Sequence, residues 1–147
     1  MPKHPTVTVI TPTYNRPKYL PQAVRSIIEQ DFDDWELLVV NDGGIDVADV
    51  ISSFGDRRIR YFNRPENAGK AACLNFALEH ARGRYIAYLD DDDIWYTHHL
   101  STLVRALEDN PEYGAAYTDP YEVYYLKDEN GVRIPLRKRT RLSRDFN

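Results

Sequence analysis

The chain has 147 residues, enough for one domain with a sizeable core, and its 42% hydrophobic and 29% charged residues exclude wholesale disorder. Its longest aliphatic run, Leu37-Leu-Val-Val40, falls far short of the ~20 residues of a membrane helix, no apolar signal segment follows Met-Pro-Lys-His-Pro, and the single Cys73 forbids an internal disulfide. Net charge is −4, split as −8 over residues 1–126 and +4 over 127–147; so acidic a body repels phosphate backbones, which excludes a nucleic-acid partner and requires a cation beside any phosphorylated ligand.

Thr6–Ile10 reads as a strand rich in β-branched residues, followed by the turn-rich Thr11–Pro17. Leu20, Val24, Ile27 and Ile28 make one helical stripe, with Pro17 and Pro21 near its first turn. Glu36–Asn41 is nearly all apolar, as in a strand covered on both faces, and ends at Asp42-Gly43-Gly44. A short amphipathic helix is expected over Asp46–Phe54 and a third strand over Ile59–Asn63. The stretch 70–81 is helical, with Ala71, Leu74, Ala77, Leu78 and Ala81 on one side and Gly83 as its stop. Arg84–Leu89 is a fourth strand running into Asp90–Asp93. A helix over 97–109 turns Leu100, Leu103, Val104 and Leu107 inward, and Gly114–Thr118 reads as a fifth strand. Tyr121–Leu126 and Val132–Leu136 read as a hairpin. Strands separated by helices predict an α/β fold: a mostly parallel, Rossmann-like open sheet with helices on both faces and ligands at the carboxyl ends of the strands.

The residues that could carry chemistry do follow strands. Four adjacent carboxylates, Asp90–Asp93, repel one another, and a hard divalent cation would hold them together. Alternation along an extended chain puts Asp90 and Asp92 on one side as an Asp-x-Asp pair for Mg2+ or Mn2+, with Asp91 and Asp93 on the other. Asp42 stands where a carboxylate can accept from a base edge or ribose hydroxyls, with Gly43 and Gly44 letting a ligand approach the backbone. Tyr14 offers an aromatic face to a nucleobase, and Lys70 opens a helix within reach of a phosphate. Each has an ordinary alternative: a solvated acidic loop, a turn or N-cap aspartate, a tyrosine packed at a sheet edge, a solvated lysine. No Gly-x-Gly-x-x-Gly, Walker loop or Gly-x-Ser-x-Gly elbow occurs, so dinucleotide, P-loop and α/β-hydrolase chemistry are unsupported.

Four ordered stretches resemble the family 2 glycosyltransferases of the GT-A fold. They are Val7-Thr-Val-Ile-Thr-Pro-Thr-Tyr-Asn-Arg16, Trp35-Glu-Leu-Leu-Val-Val-Asn-Asp-Gly-Gly-Ile-Asp46, Asn67-x-Gly69 with Asn75, and Gly83-Arg-Tyr-Ile-Ala-Tyr-Leu-Asp-Asp-Asp-Asp93. The resemblance covers roughly residues 6–118. It implies a nucleotide-sugar site in which Thr11, Pro12 and Tyr14 line the nucleobase pocket and Lys70 approaches the phosphates. Asp42 would bond the base, Asp91 the ribose or sugar, and Asp92 would carry Mn2+ or Mg2+ with Asp90 completing the Asp-x-Asp. The implied reaction is an inverting transfer from an NDP-sugar, UDP-sugar favoured, to a hydroxyl of a glycan, lipid or other acceptor.

Two departures stand out. Asn41 replaces a common aspartate, and Thr97-His98-His99 replaces the usual Pro-Asp-basic triplet. Because the family's general base typically lies in a later acceptor half, residues 1–126 are expected to form the donor-binding domain. Residues 127–147 would begin an acceptor-side region of a truncated chain. A catalytically incomplete binding domain is the alternative, and a sugar nucleotidyltransferase a weaker one, since Thr11-Pro-Thr-Tyr-Asn-Arg16 lacks that class's glycines. A receiver-like module has its acids in another order. The basic tail Arg137-Lys-Arg-Thr-Arg141 is expected to be solvated, with contact to an anionic membrane surface as the functional alternative. The expected location is the cytoplasm or its membrane face.

Overall fold

The structure, a computed structural model, describes residues 4–127 and 133–140. In chain order it contains β1 (Val7–Thr13), α1 (Leu20–Ile28), β2 (Trp35–Asp42), α2 (Ala48–Ser52), β3 (Ile59–Arg64), α3 (Lys70–His80), β4 (Tyr85–Tyr88), α4 (His99–Asp109), β5 (Tyr121–Lys127) and β6 (Arg133–Thr140). The chain divides into two compact units, one ending at Thr102 and one beginning at Leu103.

The first unit is built on a four-stranded, all-parallel sheet in the order β3-β2-β1-β4. All eight residues of β2 are buried, as its apolar run predicts. Right-handed crossovers place the helices. The chain steps one way through β1, β2 and β3, so α1 and α2 lie on one face; it then steps back past β1 to β4, which puts α3 on the other. Packing agrees: Ile10, Leu38 and Val40 form one buried cluster with Cys73 and Ala77 of α3. The alternate residues Val9, Leu37 and Val39 are also fully buried, so the opposite face is covered as well.

At the amino-terminal end of the sheet, a polar knot turns the chain from α3 into β4. Thr8 Oγ1 donates to Glu36 Oε1 at 2.8 Å, and Arg60 Nη1 donates to Glu36 Oε2 at 3.1 Å and to the His80 carbonyl at 2.9 Å. The backbone N–H groups of Arg82 and Gly83 donate to Thr8 Oγ1, at 3.2 and 2.8 Å. Gly83 is more than a helix stop: a Cβ there would collide with the Thr8 nitrogen and the Val7 carbonyl carbon.

Several boundaries shift. Strand β1 runs on to Thr13, so Thr11 and Pro12 lie within it rather than in a loop. The pairing of β4 with β1 ends where Leu89 N–H donates to Ile10 O at 3.1 Å. Pro12 shares Ile10's orientation, so its missing N–H falls where β4 no longer pairs. The helix expected over 46–54 is only Ala48–Ser52, and that over 97–109 begins at His99.

In the second unit, β5 and β6 form the expected antiparallel hairpin, from Tyr121↔Thr140 to Lys127↔Arg133. An irregularity between Tyr124 and Tyr125 falls where Pro135 enters the ladder. Strand β6 takes in residues 137–140 of the basic run. Their side chains, Arg141 and the turn at 128–132 lie outside the described residues. The fifth strand expected over 114–118 is corrected: this stretch is irregular, with Tyr117 72% exposed. A Gly-Ala-Ala sequence has low strand propensity, and no strand among the described residues pairs with it.

Candidate functional site

A parallel sheet delivers the carboxyl ends of all its strands to one rim. Here the switch point lies between β1 and β4, the place where ligands bind in open α/β sheets. A cavity of about 320 Å³ opens there. Seven of the eight residues singled out from the sequence line it: Pro12, Tyr14, Asp42, Lys70, Asp90, Asp91 and Asp92. The eighth, Thr11, does not; it is fully buried within β1, and its hydroxyl has no partner among the described residues. Thr13, Arg16 and Cys73 join the lining.

Asp42 closes β2 and is 4% exposed. Its Oδ1 accepts from Arg64 Nη1 at 2.9 Å and from the Ala68 N–H at 3.0 Å, and its Oδ2 accepts from the Gly69 N–H at 2.7 Å. Burial pushes its pKa up. The two backbone N–H groups, the Cys73 thiol and Arg64 together outweigh that, leaving Asp42 below the ordinary carboxylate range. Asp42 thus clamps the loop that enters α3, fixing the end of β3 and the start of α3 at one side of the cavity.

The acidic run is held from two sides. Asp91 is 5% exposed; Thr13 Oγ1 donates to its Oδ2 at 2.7 Å, and Arg16 Nη1 to its Oδ1 at 3.2 Å. The same Nη1 reaches Asp92 Oδ2 at 2.6 Å. Lys70, the first residue of α3, donates to both oxygens of Asp90, at 2.5 and 2.7 Å. The charges of Asp92 and Asp91 raise the pKa of Arg16. Burial, then repulsion from Asp92 and Asp90, raises that of Asp93. Beyond the run, the Trp95 N–H donates to Ser26 Oγ at 3.2 Å, and Gln30 bonds the Tyr96 carbonyl and the Leu100 N–H at 2.8 and 2.9 Å. Trp95 and His99 stack at 4.4 Å where the sequence departs from the family triplet. The segment after the acidic run is therefore anchored to α1.

Gly43 and Gly44 serve loop packing. Gly43 has φ +71°, and a Cβ on it would lie 2.5 Å from the Glu66 carbonyl carbon; one on Gly44 would lie 2.8 Å from the Asn15 nitrogen. The glycines let three post-strand loops close on one another. Asn15, itself at φ 53°, joins in by accepting from the Ile45 N–H at 2.9 Å.

Asp90 and Asp92 present half-exposed side chains to the cavity, 41% and 39% accessible. Among the described residues no three His, Cys, Asp or Glu side chains cluster around one point. Mg2+ and Mn2+ at phosphate sites use one or two carboxylates and complete their shells with phosphate oxygens and water. The run is a turn closed by the Asp93 N–H donating to Asp90 O at 3.1 Å, not the extended stretch that would put Asp90 and Asp92 on one side. Both remain hard carboxylates of the kind such an ion uses. Sequence reasoning missed Arg16 and Thr13 as site residues. The signal for Arg16 was there: it is the one charged residue between Thr6 and Pro17.

The sequence matches the Glycosyl transferase family 2 over residues 8–145. It is 36% identical over 133 residues to TuaG of Bacillus subtilis strain 168, named a teichuronic acid biosynthesis glycosyltransferase, covering 88% of this chain and 51% of that one. It is 34% identical over 105 residues to WfgD of Escherichia coli, named a UDP-Glc:alpha-D-GlcNAc-diphosphoundecaprenol beta-1,3-glucosyltransferase, covering 71% and 42%. Among solved structures it resembles the mannosyltransferase PcManGT of Pyrobaculum calidifontis, in complex with GDP-Man and Mn2+, with TM-score 0.66 and 31% identity over 74% of this chain and 34% of that one. The chain thus spans at most about half the length of these relatives. The chain belongs to glycosyl transferase family 2 and has the GT-A fold.

Proposed function

We propose that this chain supplies the donor site of a glycosyltransferase that moves a sugar from a nucleoside diphosphate sugar to an acceptor hydroxyl with inversion. One observation carries the reading: Tyr14, Asp42, Lys70 and Asp90–Asp92, from four separate stretches of sequence, line a single cavity at the switch point of the sheet. Two relatives act on or hold such donors by name, one UDP-Glc and the other GDP-Man with Mn2+. UDP-sugar is our first choice of donor.

In this reading Tyr14, 47% exposed at the cavity wall, stacks on the base while Pro12 shapes the floor beside it. Asp42 meets the base edge, and its ionised form is secured by the backbone N–H groups of Ala68 and Gly69. Asp91, fixed by Thr13, accepts from ribose or sugar hydroxyls. Asp92 and Asp90 would hold Mn2+ or Mg2+. When bound, that ion neutralises charge on the departing diphosphate. Arg16 and Lys70 add positive charge at the same place. Acceptors are hydroxyls of a glycan, a lipid or another hydroxyl-bearing molecule. The place of action is the cytoplasm or the membrane face, where the basic run 137–141 would meet anionic headgroups. No helix among the described residues is long and apolar enough to cross a membrane.

Amide chemical-shift mapping of the chain with UDP and Mg2+ tests this reading. The account expects the shifted resonances to centre on Tyr14, Asp42, Lys70 and Asp91. Shifts centred on Arg57 and Arg82, which line a cavity of about 370 Å³ at the amino-terminal end of the sheet, would overturn it.

A further inference from the structure

The acidic run at the mouth of the cavity is already partly neutralised by the chain itself. Arg16 approaches Asp91 and Asp92 from the loop after β1, and Lys70 grips Asp90 from the start of α3. The cations differ from their partners in how firmly they are held. Asp91 is buried and has, apart from Arg16, a Thr13 hydrogen bond of 2.7 Å. The Arg16 and Lys70 side chains are 49% and 58% exposed, so both have open solvent into which they can turn.

We propose that Arg16 and Lys70 are exchangeable counterions. They hold Asp90, Asp91 and Asp92 in the donor-free protein, and they transfer to diphosphate oxygens when a nucleoside diphosphate and a divalent cation enter together. The proposal deepens the nucleotide-sugar reading and rests on it. Charge drives the exchange. The four carboxylates Asp90–Asp93 with two cations carry a net −2 in place of −4, a weakened attraction for a lone divalent ion. Such an ion must also displace a cation from the carboxylate it takes, leaving like charges at close range. A diphosphate arriving with the ion gives the displaced guanidinium and ammonium new oxygens to bond, and Arg is well suited to phosphate geometry. The same two residues therefore oppose the metal alone and favour the metal with nucleotide. Metal and nucleotide bind cooperatively.

The test is Mn2+ binding to the full chain, read from the electron paramagnetic resonance signal of free Mn2+, with and without UDP or GDP. It uses wild type, Arg16→Gln, Lys70→Gln, and Arg57→Gln as a control for net charge. For wild type, Mn2+ alone binds weakly and nucleotide tightens it at least about tenfold. Arg16→Gln and Lys70→Gln each bind Mn2+ alone about two- to fivefold more tightly, the size expected from removing an exposed ion pair. Both bind the nucleotide with Mn2+ about tenfold more weakly, the size of one lost charge-assisted hydrogen bond. Arg57→Gln changes neither. If nucleotide binds wild type but the first two variants leave Mn2+ affinity unchanged or weaker, the counterion exchange is wrong while the donor site stands. If neither UDP nor GDP binds wild type with Mn2+, the donor-site reading fails and takes the exchange with it.

Discussion

Arg16 donates from one nitrogen to two carboxylates at once, with Nη1 lying 3.2 Å from Asp91 Oδ1 and 2.6 Å from Asp92 Oδ2. The two acids are nevertheless in different situations: Asp91 is buried against Thr13, whereas Asp92 is open to the cavity. In the function we propose, the buried one orients and the open one exchanges partners.

That difference sets the first prediction. Asp92→Asn should remove the stimulation of UDP binding by Mn2+, a loss of at least about tenfold, since an amide is a far poorer ligand for a hard cation. Thermal stability should stay within about 0.5 kcal/mol, as for most exposed substitutions. Calorimetric titration alongside a thermal melt checks both.

Tyr14→Ala should weaken nucleotide binding through lost stacking, by about 1–3 kcal/mol. Tyr14 is 47% exposed, so folding should be little affected. The loss should be the same with and without metal, which separates it from the Asp92 effect.

Asp42→Ala should destabilise the fold by about 2–4 kcal/mol, because it strands the Arg64 guanidinium and two backbone N–H groups in a mostly buried corner. Urea unfolding measures it. The same group makes stability depend on acid. Its folded pKa lies below the unfolded value of about 3.9, so its contribution is complete above that pH and is lost as pH falls through the folded value. Below about pH 4, wild type should therefore lose stability more steeply than Asp42→Asn, and the two curves should run parallel at neutral pH.

Gly43→Ala should cost about 2 kcal/mol or more, since it forces a side chain onto φ +71° and against the Glu66 backbone. Gly114→Ala, with nothing within 4 Å of the new Cβ, should be nearly neutral. Chemical denaturation of the pair distinguishes loop closure from a general intolerance of alanine.

Much of this was legible in the sequence because strand periodicity and strand ends are local signals. The apolar run 37–40 announced a strand buried on both faces, and the carboxylates after it and after Leu89 fell at the rim of the sheet as expected. What escaped depended on contacts across long separations. Asp42's clamp on Ala68 and Gly69 spans 26 and 27 positions, and Arg16's bridge to Asp91 and Asp92 spans 75 and 76. Gly43 and Gly83 looked like breakers, yet each is required by a backbone segment far along the chain. Residues 114–118 were misread because a short Gly-Ala-Ala stretch looks strand-like only when a neighbour is assumed for it.

In the function we propose, the rim of this sheet binds a nucleoside diphosphate through a shared divalent ion. The most direct test is calorimetric titration of the chain with UDP, GDP and dTDP, with and without Mn2+. A one-to-one complex is expected, tightest with UDP and markedly tighter when Mn2+ is present. Equal affinity with and without the ion, or no binding of any of the three, would contradict it.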